Sequence, residues 1–481
     1  MLDHQNLIQG KWVESGAGER MESHNPANPK EILWTFPAAT LEDAHAAVEA
    51  ARTAFPGWAR VLPSERGAIL ERASRILEDR AREIATILTQ EEGKTLPESL
   101  GEVNRARDIF RYFAGEGWRN AGSVYPGSAS GELLYSQREP LGVVTLITPW
   151  NFPIAIPAWK IAPALVYGNT VVFKPAHHGE GTALALVNAL VEAGLPPGVL
   201  NFITGAGSTL SAELTATSAV NGISFTGSVA VGTRIYQQAV PHLIRVQLEM
   251  GGKNPLVILE DANLDLAVSL TVRGGFGLTG QACTATSRVI VEEGIADEFA
   301  RRICEAAEKL KIGNGLEKGV QMGPAVSQDQ METDLKYVQI GQDEGARLAV
   351  GGGPAGDGGF FVQPTVFDHV RESMRIAKEE IFGPVVSLIR ARNFEDALEK
   401  ANAAGFGLAA GVVTRDLKKA FTFANRIEAG VVKINEPTTG LALQAPFGGF
   451  KQSSANTFKE QGPAAIEFYT RTKTIYVGHG G

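Results

Sequence analysis

Hydrophobic residues recur at three- and four-residue spacing from Leu41 to about Gly117, most clearly in LEDAHAAVEAARTAFPGWARV and SERGAILERASRILEDRAREIATIL. That period gathers apolar side chains on one face, so the spacing predicts a layer of amphipathic helices. After Gly122 the pattern changes to short apolar runs divided by turns and helical stretches: GVVTLITP, NTVVFKP, GVLNFITG, VNGISFTG and NPLVILED. Such an alternation predicts a parallel sheet with crossover helices. One crossover, GTALALVNALVEAGLP, runs into Gly194 and Pro196, which stop a helix just before the next strand. A second alternating block follows Cys283, with SRVIVEEG, ADEFARRICEAAEKLKIG, FVQPTVFD, PVVSLIRA and AAGVVTRD as elements of a further α/β unit. GELLYSQREP and IEFYTRTKTIYVG alternate like edge strands, each open to pairing with another subunit.

The chain has 481 residues and is 44% hydrophobic, enough for two or three domains. Its net charge of -8 and scattered basic residues give no reason to expect nucleic acid or an acidic membrane surface as partner. Two cysteines, Cys283 and Cys304, cannot build a disulfide framework or a cysteine-rich zinc site. No metal is therefore expected, and the reducing cytoplasm is the expected compartment. The first residues, MLDHQNLIQGKWVES, lack the basic and apolar regions of a signal peptide, and no apolar run reaches membrane-spanning length.

Cys283 sits in GGFGLTGQACTATSR, among residues small enough to let backbone amides approach a ligand. On these residues alone it is either a nucleophile or a small buried hydrophobe. Cys304, inside a helical pattern, reads as packing. Glu249 ends the β-like run IRVQLEM before two glycines, a position that suits a general base or an ion-paired glutamate. Asn151, in TPWNFPIAIPAWK, is either an oxyanion-stabilising amide or an Asx-type turn residue. FTGSVAVG closes a strand and opens a helix whose first N–H groups suit a pyrophosphate, although its spacing departs from GxGxxG. Lys174 stands at a strand end, placed for a ribose or phosphate or simply for solvent. KEEIFGPV and APFGGFK read as loops that approach a ligand or as structural turns.

TPWNFP, FTGS, LEMGGKNP, GQACTATSR, EEIFGPV and APFGGFK, in this order, resemble the NAD(P)-dependent aldehyde dehydrogenase superfamily essentially end to end. The resemblance implies a Rossmann-like dinucleotide-binding domain (residues 1–122 and 141–250), an α/β catalytic domain (251–452) and a small β oligomerisation element (123–140 and 453–481) of a homodimer or homotetramer. It implies Cys283 as nucleophile, Glu249 as base, and Asn151 with the Cys283 N–H as oxyanion hole. It also implies Lys174 at the adenosine ribose, Ser228 at the pyrophosphate, Glu380 with Phe382 at the nicotinamide ribose, and Trp150 and Gly227 along the cofactor path. Glu249 in its motif argues against an acylating enzyme that passes the acyl group to coenzyme A. The cysteine, glutamate and asparagine together argue against a silent member of the fold. A cysteine hydrolase would need a histidine partner in a suitable motif, and none of the eight histidines offers one.

In NAD-preferring relatives a glutamate stands three residues after the lysine; here that residue is His177. With Lys174 and His177 nearby and no carboxylate to repel a 2′-phosphate, NADP is expected to serve at least as well as NAD. NEPTTGLALQAPFGGFKQSS, with the segments around Asn151 and Cys283, resembles the 2-oxoglutarate semialdehyde (2,5-dioxopentanoate) dehydrogenases; the alternative is a broad-range or succinate-semialdehyde type. This resemblance implies Arg105 at the substrate entrance, apolar walls from Phe152, Trp159 and Phe447, and hydrogen bonds from Thr438, Thr439 and Gln444. Gly277, where an aromatic often stands, is expected to leave the tunnel wide.

Overall fold

The computed structural model describes residues 2–119, 122–356 and 358–478. Five parallel strands, in the order Arg245–Glu249, Gly222–Thr226, Val143–Ile147, Thr170–Lys174 and Leu200–Phe202, form most of a seven-stranded sheet. Asn6–Ile8 and Lys11–Val13 extend it antiparallel beyond Leu200–Phe202. Successive side chains point to opposite faces. Val144, Leu146, Val171 and Phe173 therefore pack against the helices Pro63–Asp79, Leu96–Glu116 and Ala155–Val166, while Val143, Val172, Ile223 and Val246 pack against Leu41–Trp58, Gly207–Thr215 and Val229–Ala239. Both faces are covered, which is why these strands read as unbroken apolar runs.

A second seven-stranded sheet runs Arg347–Val350, Thr365–Asp368, Val385–Ala391, Thr286–Glu292, Asn254–Ile258, Ala409–Val413, Val431–Ile434, parallel except at its first strand. It too has an apolar cluster on each face, with Val257 and Ile290 on one side and Leu256 and Val289 on the other. Cys304 packs into the second of these clusters from the helix Glu293–Glu308. Only four residues separate the carboxyl end of Arg245–Glu249 from the start of Asn254–Ile258, so the two sheets meet there.

The two edge-like segments pair with each other: Leu133–Pro140 lies antiparallel to Thr470–Val477, with Ser123–Tyr125 on its other side. The strand-like reading of IEFYT is corrected, because Ala465–Tyr469 is a short helix whose Phe468 and Tyr469 are buried against the first sheet's helices. The pattern also gave no warning of the N-terminal strands, of which Arg20–Asn25 and Asn28–Pro37 form a hairpin.

Candidate active site

The helix Leu264–Phe276 ends in an unusual turn. Leu278, Thr279 and Gly280 follow with φ of 55°, 57° and 70°, three successive left-handed residues, two of which carry side chains. Such conformations cost about 1–2 kcal/mol per non-glycine residue, so neighbours must hold them. Glu98 accepts the Leu278 N–H at 2.8 Å, and the Thr279 hydroxyl donates to the Gly323 carbonyl at 3.1 Å. The chain then delivers Cys283, half-buried, to the floor of a cavity of about 590 Å³.

Neighbouring elements fix the thiol's surroundings through its backbone. The Asn254 amide donates to the carbonyls of Cys283 and Ala285, each at 2.8 Å, and accepts the Ala409 N–H at 3.0 Å, tying the cysteine turn to two strands. Asn151 is buried; its amide donates to the Gln281 carbonyl at 2.9 Å, and its own carbonyl accepts the Lys94 ammonium at 2.6 Å. Lys94 in turn pairs with Glu102 at 2.8 Å, and Glu102 accepts the Ile154 and Ala155 N–H groups at 3.1 Å. Asn151 and the Cys283 turn are thus joined through the Gln281 carbonyl. Burial, with the Glu380 and Glu249 carboxylates close by, pushes the Cys283 thiol up to about 12, so at rest it keeps its proton.

Glu249 ends its strand fully buried. Burial, and then the Glu460 carboxylate beside it, raise its carboxyl well above the ordinary range. The loop at Gly448 closes over it so tightly that a Cβ there would come within 2.5 Å of its Oε1. Behind it lies a network that sequence reasoning missed: the Lys160 ammonium pairs with Glu460 and donates to Ser224 at 2.8 Å. The available signal was a lone lysine in the otherwise apolar helix AIPAWKIAPALV; Glu460, in a loop 300 residues away, offered none.

Trp150, Lys174, His177, Gly227 and Ser228 stand at or follow the carboxyl ends of first-sheet strands, where open α/β sheets bind ligands, and Glu380 and Phe382 precede the second-sheet strand Val385–Ala391. Ser228 caps the eleven-residue helix Val229–Ala239, and the Thr226 hydroxyl just before Gly227 is buried without a partner. The Lys174 ammonium donates only to the Pro175 carbonyl, at 3.0 Å, and burial lowers its value. Glu380 accepts the Gly252 N–H at 2.8 Å, and burial raises it to about 7. Phe382, itself at φ 64°, meets the Trp150 ring edge-on at 5.3 Å. A buried donor without a partner, a helix start and a carboxylate are the kinds of group a dinucleotide needs. The expectation that no carboxylate stands near His177 is corrected: Glu180, one helical turn on, lies 3.4 Å from its Nδ1, and this contact raises the imidazole's value.

Arg105, Phe152, Trp159, Gly277 and Thr439 all line the cavity, and a Cβ on Gly277 would find nothing nearer than 3.9 Å. Arg105 is half-buried and bonds only the Gln461 side-chain oxygen, at 3.2 Å. Three expected wall residues are not on the wall. Phe447 is buried behind Trp159, with ring centres 6.2 Å apart. The Thr438 hydroxyl is fully buried and spent on the Thr284 carbonyl at 2.7 Å and on Thr286. Gln444 is exposed and does not line the cavity, while its backbone carbonyl packs against the buried Gly462.

The model of the aldehyde dehydrogenase family matches residues 12–475. The chain is 48% identical to the α-ketoglutarate semialdehyde dehydrogenase of Haloferax volcanii, over 98% of both chains. It is 45% identical to the α-ketoglutaric semialdehyde dehydrogenase of Bacillus subtilis, over 98% of this chain and 97% of the relative. The crystal structure of Staphylococcus aureus betaine aldehyde dehydrogenase in complex with NAD+ superposes with a TM-score of 0.97, at 35% identity, covering 99% of this chain and 95% of that one.

Proposed function

The chain belongs to the aldehyde dehydrogenase family, NAD(P)-dependent oxidoreductases, and from that premise we propose that it oxidises a carboxylate-bearing semialdehyde, 2-oxoglutarate semialdehyde first among them, to the dicarboxylic acid. One observation carries the reading: the Arg105 guanidinium, bonded only to a neutral amide, stands in the wall of the cavity that ends at Cys283. A carboxylate on the substrate would give it charge-assisted bonds while Phe152 and Trp159 enclose the carbon chain. The names of the Haloferax and Bacillus relatives support this choice.

In this reading the Cys283 proton passes to a water molecule, the thiolate adds to the aldehyde carbon, and the resulting oxyanion is met by the Asn151 amide and the Cys283 backbone N–H. NAD(P), when bound, supplies the acceptor for the hydride that leaves this carbon. In its ionised form Glu249 then takes a proton from the water that attacks the thioester; the carbon–sulfur bond breaks and the departing sulfur recovers that proton, releasing the acid and the thiol. Water rather than coenzyme A is the acceptor. Lys174 and His177 would hold the adenosine ribose, Gly227 and Ser228 the pyrophosphate, Glu380 and Phe382 the nicotinamide ribose, and Trp150 the path between. NADP serves at least as well as NAD, because Glu180 is engaged with His177 and the imidazole stands exposed beside Lys174. The subunit forms a homodimer or homotetramer through the three-stranded sheet, whose Val124, Leu133 and Tyr476 are exposed. No helix among the described residues is long and apolar enough to cross a membrane.

The test is a panel of semialdehydes and uncharged aldehydes of equal length, each assayed with NAD and NADP, with and without coenzyme A. The highest kcat/KM is expected for 2-oxoglutarate semialdehyde, independent of coenzyme A. A preference for uncharged aldehydes would replace this reading with a broad-range enzyme.

A further inference from the structure

The charged groups of the cavity fall into two classes. Its two carboxylates are spent. Glu98 accepts the Thr95 N–H and hydroxyl at 2.9 and 2.7 Å and the Leu278 N–H at 2.8 Å. Glu102 accepts Lys94 and two backbone N–H groups. Its two guanidiniums are not. Arg105 has only the Gln461 oxygen, since Asp108, the acid nearest in effect, is taken by Arg107 at 2.8 Å. The second cation, Arg273, lies in the last turn of Leu264–Phe276, exposed where the cavity meets solvent, with no hydrogen-bond or ion-pair partner among the described residues.

The two arginines reach the cavity from different elements. On the helix Leu96–Glu116, residues 98, 101, 102 and 105 share one face, and all four line the cavity. On Leu264–Phe276, residues 272, 273 and 276 line the same cavity. A helix carboxyl end favours a cation, which accounts for Arg273 being tolerated there but not for its facing the same space as a second unpaired guanidinium. Glu98 and Glu102 line the same cavity, but their oxygens are taken by other donors and neither pairs with either guanidinium.

We propose that Arg273 is a second specificity-determining residue, which with Arg105 grips the remote carboxylate of the substrate from a second helix. The inference rests on the carboxylate-bearing substrate of the preceding section. Arg105, half-buried, gives the bond that fixes the carboxylate; Arg273, at the rim, draws the anion in and closes over it.

The test compares Arg273→Ala, Arg273→Lys and the Arg105→Ala/Arg273→Ala double variant on 2-oxoglutarate semialdehyde and on pentanal. Arg273→Ala should raise KM for the semialdehyde about tenfold, the effect of one charge-assisted hydrogen bond, with kcat and the KM for pentanal unchanged. Arg273→Lys should recover part of the loss, and the double variant should depart from the product of the single effects, because both residues hold one group. The semialdehyde KM of wild type should rise with salt more steeply than that of Arg273→Ala. An unchanged semialdehyde KM in Arg273→Ala, or an equal rise for both substrates, overturns the proposal even while wild type prefers the semialdehyde. A wild type that prefers pentanal overturns the substrate reading itself. Arg273 bonds nothing among the described residues, so the variant should melt as wild type does; a lowered melting temperature with KM changed alike for both substrates counts against the proposal.

Discussion

The floor of the cavity and its outer wall are built on opposite principles. At the floor, every polar group that positions Cys283 and Asn151 is tied to backbone: Asn254 to the Cys283 and Ala285 carbonyls, Asn151 to Gln281, Glu98 to Leu278. On the outer wall, Arg105 has one neutral partner and Arg273 none among the described residues. Backbone ties hold atoms to within a bond's tolerance, which a reacting centre requires. Loosely held side chains instead leave their charge for a ligand. The floor should therefore govern kcat and the wall KM.

The largest break in that contrast comes from the floor. Cys283→Ala should lower turnover at least about 10⁴-fold, because no covalent step remains, while cofactor binding measured by fluorescence titration stays intact. Near-normal turnover would remove the thiol from the mechanism. Glu249→Gln acts later. A rapid burst of about one reduced cofactor per site, followed by turnover slowed about 10²–10⁴-fold, is expected in stopped-flow absorbance if Glu249 activates the deacylating water. Absence of the burst with equally slow turnover would shift Glu249 to the first step.

The wall should respond differently. Arg105→Ala should raise KM for 2-oxoglutarate semialdehyde about ten- to a hundredfold and leave pentanal little changed, since only the charged substrate uses the guanidinium. An equal change for both would assign Arg105 to packing of its helix and erase the contrast between floor and wall.

What was legible in the sequence divides along the same line. The parallel strands could be read because each is buried on both faces and so appears as an apolar run with turn residues on either side. The N-terminal strands could not, because pieces such as Leu2–Asp3 and Asn6–Ile8 are too short to show a period. Cys283, Asn151 and Glu249 stand in distinctive local motifs, and the fold brings their segments to one junction. Arg273 and Glu460 carry no local mark: they matter through what tertiary structure sets opposite them. Thr438 and Gln444 were misplaced for the converse reason. A loop's composition suggests hydrogen bonding but says nothing of direction, and one hydroxyl turned inward to Thr284 while the other side chain turned to solvent.

The smallest expected effect lies outside both regions, at His177, and extends the contrast to the cofactor crevice. His177 is exposed, yet its Nδ1 meets the buried Glu180, whose own value burial raises to about 7. The hydrogen bond to Glu180 raises the imidazole from its ordinary 6.5. The cationic form therefore persists to higher pH than in a free histidine, and its attraction for a 2′-phosphate is present below the raised value and lost above it. Like Arg105, it is a charge held from one side and open on the other. The ratio of kcat/KM for NADP to that for NAD should accordingly fall several-fold as pH rises from 6 to 9, roughly the size of one solvent-screened charge contact. His177→Glu should shift preference toward NAD by a similar or larger factor and flatten this pH profile, since the titrating cation is gone. A ratio that stays level with pH in wild type, or a wild type that rejects NADP, would place His177 among residues that merely cap the turn before Glu180–Glu192.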